Sequence, residues 1–142
     1  MIRKMQSRDA EGLGKLAQEV FTMPWSVNAF AALVEDGNSI FIVAEEDGQV
    51  IGGCGLTHIL DEGDIHNVMV ASAYRGRGIA AMMLETLLSE GQKQGINAFT
   101  LEVRVSNETA IRVYEKLGFV SEGVRPKFYE KPVEDALIMW KR

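Results

Sequence analysis

Between Tyr74 and Ala81 the chain reads YRGRGIAA, and the six residues from Gly76 to Ala81 fit the pattern G-x-G-x-x-A. Glycines at that spacing let a diphosphate approach the main chain. A helix opening directly after them presents unpaired N–H groups and the positive end of its dipole. Phosphate binding is the chemistry such a loop serves. Two other side chains have the reactivity for proton transfer: Glu102 in TLEVRV and Tyr114 in AIRVYEKLGF. A carboxylate in a partly apolar cleft can take a proton from an amine, and a phenol can return one to a leaving group. Taken alone, each also has a plainer reading. Glu102 alternates with Leu101 and Val103 and points away from them, as a solvated strand carboxylate does. Tyr114 shares a helical stripe with Ile111 and Leu117, as core residues do.

The elements that must position these groups are legible from periodicity and punctuation. Residues 1–6 read as a short strand, and Ser7 or Asp9 caps a helix to about Phe21 with Leu13, Leu16, Ala17 and Val20 on one face. Pro24 breaks the chain, and Ser26 caps a second short helix that carries Phe30, Leu33 and Val34 and ends at Gly37. Ile40 to Ala44, the turn at Asp47-Gly48 and the run from Val50 make a hairpin. DIHNVMV is the next strand, after an acidic turn from Asp61 to Asp64. The glycine loop follows, then a long helix whose Ile79, Met82, Met83, Leu84, Leu87 and Leu88 face inward until Gly91 and Gly95 end it. AFTLEVRV is a strand. Ser106 or Asn107 starts a helix that Gly118 stops, and the tail makes two strands joined by a loop containing Pro126 and Pro132. This is an α+β arrangement, with an antiparallel lead-in and one β-α-β crossover whose first turn holds the glycine loop.

The register of that loop decides its ligand. A dinucleotide reading finds an acidic residue, Glu102, on the following strand, where a ribose-binding carboxylate belongs. Against it, Ser72 to Arg75 separate the strand from the first glycine, and a doubly wound fold needs more parallel units than one crossover. Arg75 and Arg77 also place positive charge beside the glycines. A P-loop is excluded by the absence of G-K-S/T.

Begun one residue earlier, RGRGIA at Arg75 to Ala80 is similar to the R/Q-x-x-G-x-G/A pyrophosphate loop of the Gcn5-related N-acetyltransferases. NVMVASAYRGRGIA resembles that family's central strand and loop, and EVRVSNETAIRVYEKLGF its next strand and helix. Within the family, MPWS at Met23 to Ser26, LEVRVSN at Leu101 to Asn107, RPKFY and EDALIM resemble the segments F-P-W-S, L-E-V-R-x-S-N, R-x-x-Y-Y and E-D-A-I-x-M of the RimI-type ribosomal-protein alanine N-acetyltransferases.

The resemblance implies an α/β sandwich with a mixed, mostly antiparallel sheet and a splayed parallel strand pair. It implies that acetyl-CoA lies in the wedge, hydrogen-bonded by the main chain of Val68, Met69 and Val70. The pyrophosphate would rest on Gly76, Arg77, Gly78, Ile79, Ala80 and Ala81, assisted by Arg75 or Arg77, with Asn107 on the pantetheine arm. Glu102 matches the general base and Tyr114 the general acid. Trp25 would line the acceptor groove, with Phe128 and Tyr129 facing it; Phe128 stands where the family usually has a tyrosine. An α-amino group, with a pKa of about 8, must lose a proton before it attacks a thioester, which is why such a base is wanted. The N–H of Met69 or Val70 would stabilise the oxyanion.

The implied activity is transfer of acetyl from acetyl-CoA to a protein N-terminal amine, most simply the alanine of a small-subunit ribosomal protein. A small-molecule amine acetyltransferase, or a CoA-binding module without turnover, would share the loop.

Composition sets the remaining limits. The 142 residues suit one domain, residues 1–142, with a core of its own. The hydrophobic share of 46% and charged share of 25% are globular averages, and no stretch is apolar enough to span a membrane. MIRKMQSRDAEG lacks the apolar region of a secretory signal, so the cytoplasm is expected. A net charge of -5 opposes a nucleic-acid surface. The single cysteine, Cys54, reads as small core, and His58 and His66 lack companions at metal-ligand spacing, so no metal is expected. Trp140 reads as sheet core or the surface of a homodimer; a monomer is equally compatible.

Overall fold

The computed structural model describes residues 1–142, with seven strands and four α-helices. The strands are β1 (Ile2–Lys4), β2 (Ser39–Glu46), β3 (Gln49–Ile59), β4 (Glu62–Val70), β5 (Ala98–Arg104), β6 (Val120–Tyr129) and β7 (Glu134–Lys141). The helices are α1 (Ala10–Val20), α2 (Val27–Leu33), α3 (Ile79–Lys93) and α4 (Glu108–Lys116). The strands form one sheet in the order β1-β2-β3-β4-β5-β7-β6, antiparallel throughout except for β4 and β5. The mixed α/β architecture expected from the sequence is therefore the one observed.

Alternation along β2 divides the core. Ile40, Ile42 and Ala44 join α3, β5 and α4 on one face, while Phe41 and Val43 join α1 and α2 on the other. The glycines of β3 make room for this second layer. A Cβ on Gly55 would lie 2.3 Å from the Phe41 ring, so the ring lies directly against the β3 backbone. The β2–β3 hairpin turns through Asp47 (φ 52°) and Gly48 (φ 77°), two left-handed residues that match the strand twist.

Several local expectations are corrected. Gly91 lies inside α3, buried against the Phe99 ring, and the chain leaves the helix at Gln94 and Gly95 (φ 88°). Met82 is exposed on the outer side of that helix. Val34 lies beyond α2, which stops well before Gly37. Ser7 lies in a 3-10 turn, and Asp9 stands at the N-cap of α1 as expected but makes no side-chain bond to that helix: it accepts the Gln6 N–H at 2.7 Å while its two oxygens take both terminal nitrogens of Arg3. Pro126 lies within β6 rather than in the loop, which an edge strand tolerates because one side of its backbone has no partner.

Two irregularities of β4 open the sheet beside the glycine loop. The parallel β4–β5 ladder contains only the pairs Glu62–Ala98, Gly63–Phe99 and Asp64–Thr100, yet β4 continues to Val70 and β5 to Arg104. Beyond Asp64 the strands diverge and leave an opening. Within β4, the pairs Gly53–Met69 and Gly55–His66 enclose one extra residue on the β4 side, and Asn67 is left-handed at φ 54°. The bulge reverses the strand's parity. Ile65 packs on the α3 face, and after the bulge Val68 and Val70 do so, while Met69 turns to the α1 layer.

Candidate active site

The glycine loop joins β4 to α3 at the mouth of the opening. Gly76 (φ 80°) and Gly78 (φ 76°) are both left-handed, and a Cβ on either would meet nothing within 4 Å. Glycine is needed there for backbone conformation, not for space. Gly78 is the N-cap of α3, and its carbonyl accepts the Met82 N–H at 3.1 Å, so the N–H groups of Ile79, Ala80 and Ala81 stand ahead of the helical ladder. A fifteen-residue helix concentrates its positive dipole end at this point. Arg77 lies over the Tyr74 ring, 5.0 Å from its centroid, and Arg75 Nε donates to the Val70 carbonyl at 3.2 Å. A pyrophosphate fits this set of donors: unpaired N–H groups at the start of a long helix, open to solvent, with two arginines in the same loop.

On the adjoining strand edge, the Ala71 N–H donates to the Ile51 carbonyl at 2.7 Å, so strand alternation turns the N–H and C=O of Val70 away from β3 and toward the opening. The same alternation turns the Met69 N–H to β3, where Met69 pairs with Gly53. Of the three residues expected along this edge, Val70 is thus the one with a donor facing the gap, and Val68 lies at the bulge.

Glu102 projects from β5 on the face opposite Leu101 and Val103, which are buried. Its side chain is 19% exposed, and Arg125 Nε approaches its Oε2 at 3.5 Å. Burial pushes its pKa above the ordinary carboxylate value, the nearby charge of Asp64 adds to the rise, and Arg125 opposes it. Tyr114, in α4, lies on the other face, with its ring edge-on to Phe119 at 6.0 Å. Burial pushes its phenol pKa upward, with Cys54 and Tyr129 as further contributors, so it stays protonated at neutral pH. The residue is only 6% exposed and its hydroxyl makes no hydrogen bond within the protein. The one sealed side-chain polar atom without a partner is nevertheless His58 Nε2, so the Tyr114 oxygen retains access to solvent.

Asn107 caps α4, its Oδ1 accepting the Ala110 N–H at 3.2 Å, which leaves both N–H donors of its amide nitrogen for a ligand. Trp25 stacks on His66 of β4 with ring centroids 4.9 Å apart and packs against Phe30 at 5.5 Å. On the opposite side, Phe128 and Tyr129 meet edge to face at 5.0 Å, and Arg104 covers the Tyr129 ring at 4.5 Å. Burial and the neighbouring Glu102 push the Tyr129 phenol up to about 12, despite Arg104. Trp140 is half-buried beneath Arg142 on β7, opposite Thr100. Cys54 is fully buried, and burial alone pushes its thiol pKa well up, as an inert core residue requires.

Sequence reasoning misses Asp64, His66, Arg104, Arg125 and Glu134 as neighbours of these groups. Alternation places Arg104 on the Glu102 face two residues on, a signal present in the sequence. Arg125 arrives only because β7 lies between β5 and β6, pairing Glu102 with Ile138, and Ala136 with both Arg104 and Arg125.

A splayed parallel strand pair, a left-handed glycine loop at its mouth, a half-buried carboxylate and a protonated phenol define an acyl-transfer fold. The profile of the Acetyltransferase (GNAT) family matches residues 10–119, and the chain belongs to that family. It is an N-acetyltransferase by membership, and the family uses acetyl-CoA. Among individual proteins, it is 31% identical over 140 residues to the [ribosomal protein bS18]-alanine N-acetyltransferase of Escherichia coli strain K12, covering 97% of this chain and 94% of that one. The corresponding Haemophilus influenzae protein is 29% identical over 144 residues, with coverage of 98% and 96%. The crystal structure of the ribosomal-protein-S18-alanine N-acetyltransferase from Escherichia coli superposes with a TM-score of 0.90, at 29% identity, over 99% of this chain and 92% of that one.

Proposed function

We propose that residues 1–142 act as one domain that transfers acetyl from acetyl-CoA to the α-amino group of a protein N-terminus, with the N-terminal alanine of a small-subunit ribosomal protein as acceptor. What supports the reading is Glu102 on β5 beyond the last β4–β5 pair, its carboxyl pKa raised by burial, with the buried, protonated Tyr114 phenol on the other face of the sheet. The names of the relatives that match nearly the whole chain support the acceptor class.

The bound cofactor supplies an activated acetyl thioester. Gly76 to Ala81 would hold its pyrophosphate through backbone N–H groups, with Arg75 and Arg77 adding charge. Val70 would offer its N–H to the reacting carbonyl, and Asn107 its amide nitrogen to the pantetheine arm. Glu102 Oε receives the proton that an incoming ammonium must lose, directly or through water; a raised pKa makes that transfer less uphill. Tyr114 Oη holds a proton for the departing sulfur. Trp25, Phe128 and Tyr129 flank the acceptor from two sides. No helix is long and apolar enough to cross a membrane, and the reading places the enzyme in the cytoplasm with ribosomal proteins.

The test offers purified protein acetyl-CoA with N-terminal alanine peptides, lysine peptides and polyamines, and follows CoA release. Preferential acetylation of the alanine peptides is expected. Preference for polyamines would replace this reading with a small-molecule one, and CoA release no higher with any acceptor than without would leave a binding module.

A further inference from the structure

Arg104 has an unusual concentration of partners. Its Nη1 donates to the Pro132 carbonyl at 3.0 Å and to Glu134 Oε1 at 3.2 Å, and its Nη2 donates to the Glu130 carbonyl at 3.1 Å. The guanidinium plane also covers the Tyr129 ring. Glu134 in turn accepts the Ser106 N–H at 2.8 Å through its other oxygen, tying the group to the turn before α4. One side chain of β5 thus holds four features of the β6–β7 connection.

That connection is poorly held by the sheet. The β6–β7 register is broken between Arg125 and Tyr129, and Tyr129–Glu134 is the last pair before the turn. Lys127 (φ 53°) and Lys131 (φ 55°) are both left-handed, a conformation that is unfavourable for a non-glycine residue and persists where surrounding contacts over-determine it. The Lys127 N–H is held by Asp135 Oδ1 at 2.9 Å. Beyond the Tyr129–Glu134 pair and the Phe128 ring, the contacts that hold the segment from Tyr129 to Pro132 converge on the guanidinium.

We infer that Arg104 is a positioning residue for acceptor binding: it fixes Tyr129 and the Glu130–Pro132 turn at the height of Glu102, two residues earlier on the same strand face, without entering the chemistry. The inference rests on the proposed acceptor reading. A planar fork with an aromatic-stacking face is required for the task, and a lysine, with one nitrogen and no plane, cannot reproduce it.

Arg104→Lys is expected to raise the KM for an N-terminal alanine peptide about tenfold, the equivalent of one lost charge-assisted hydrogen bond, with kcat and the KM for acetyl-CoA unchanged. In a Tyr129→Leu background the same substitution is expected to raise KM by clearly less than it does alone, because one of the two objects it positions is gone while the Glu130–Pro132 turn remains. With 3-fluorotyrosine incorporated, the ¹⁹F resonance missing from Tyr129→Phe identifies Tyr129. That line is expected to shift and sharpen in Arg104→Lys while those of Tyr74 and Tyr114 stay in place. Full activity in the lysine variant, an equal rise in both KM values, additivity with Tyr129→Leu, or an unmoved Tyr129 line would overturn the inference. The fluorine measurement needs no turnover, so it judges the clamp even if alanine peptides prove not to be acceptors.

Discussion

Arg125 Nε lies 3.5 Å from Glu102 Oε2, so the proposed base carries a cation beside one of its two oxygens. The pair is asymmetric: the carboxylate is 19% exposed, whereas the arginine side chain is 58% exposed and lies over the Phe128 ring. Its electrostatic effect is to hold the Glu102 pKa lower than burial and Asp64 alone would place it.

Removing that cation should therefore move the acid limb of the rate profile. Arg125→Met is expected to shift the pH below which kcat/KM falls to a higher value, because a more basic Glu102 is protonated earlier. Glu102→Gln is expected to lower kcat about a hundredfold near neutral pH and to abolish the limb. Both are read from kcat/KM against pH across the neutral range; a limb unmoved in Arg125→Met would separate the ion pair from the base.

Tyr114→Phe should divide chemistry from folding. The hydroxyl has no protein partner, so its loss should leave the melting temperature unchanged and the acetyl-CoA KM intact, while kcat falls by roughly 10²-fold for want of a proton at the sulfur. Calorimetry beside steady-state kinetics checks it, and unchanged kcat would return Tyr114 to the core.

Gly78→Ala tests the loop through its backbone. The site is open, so the methyl clashes with nothing, yet φ 76° should cost about 1 kcal/mol of stability. We expect weaker acetyl-CoA binding by isothermal titration with acceptor KM unaffected. Equal weakening of both would mean that the change spreads beyond the loop.

His66 should remain neutral under ordinary assay conditions. Burial lowers its pKa from 6.5 to about 4, and with Asn67 Nδ2 at 3.0 Å from Nδ1, the ring proton belongs on Nε2, facing Thr57 Oγ1 at 3.3 Å. The folded pKa is depressed, so the contribution to stability is fully present above pH 6.5. It is lost as pH falls toward 4, by up to roughly 3 kcal/mol. With the His66 line identified by its absence from His66→Gln, a His66 resonance that titrates near 6.5 in the folded protein would contradict the burial of this ring under Trp25.

What is legible in the chain and what is not divide along a physical line. The Asp47-Gly48 hairpin, the Ser26 cap, the crossover and the facing of Glu102 depend on residues close in sequence, whose turn chemistry and alternation are local properties. The β4 bulge escapes because Asn67 carries no glycine or proline signal and Val68, Met69 and Val70 are all apolar, so the change of parity leaves no mark in DIHNVMV. Pro126 reads as a loop residue because nothing local says that β6 is the sheet edge. The cluster of Glu102, Arg104, Arg125 and Tyr129 depends on β7 inserting between β5 and β6, a pairing that no local pattern encodes.

The three rungs that join β4 to β5 make the sheet two plates with a single short seam. Elsewhere the plates meet through side chains, chiefly where Phe99, Leu101 and Val103 enter the larger hydrophobic cluster, and such contacts resist separation better than they resist twist. Only the three antiparallel pairs of β1 and β2 at the sheet's edge make as short a ladder. A ligand seated between the diverging strands, as proposed for acetyl-CoA, would take the place of the missing rungs and tie the two plates together, so that binding would stiffen the sheet along this line.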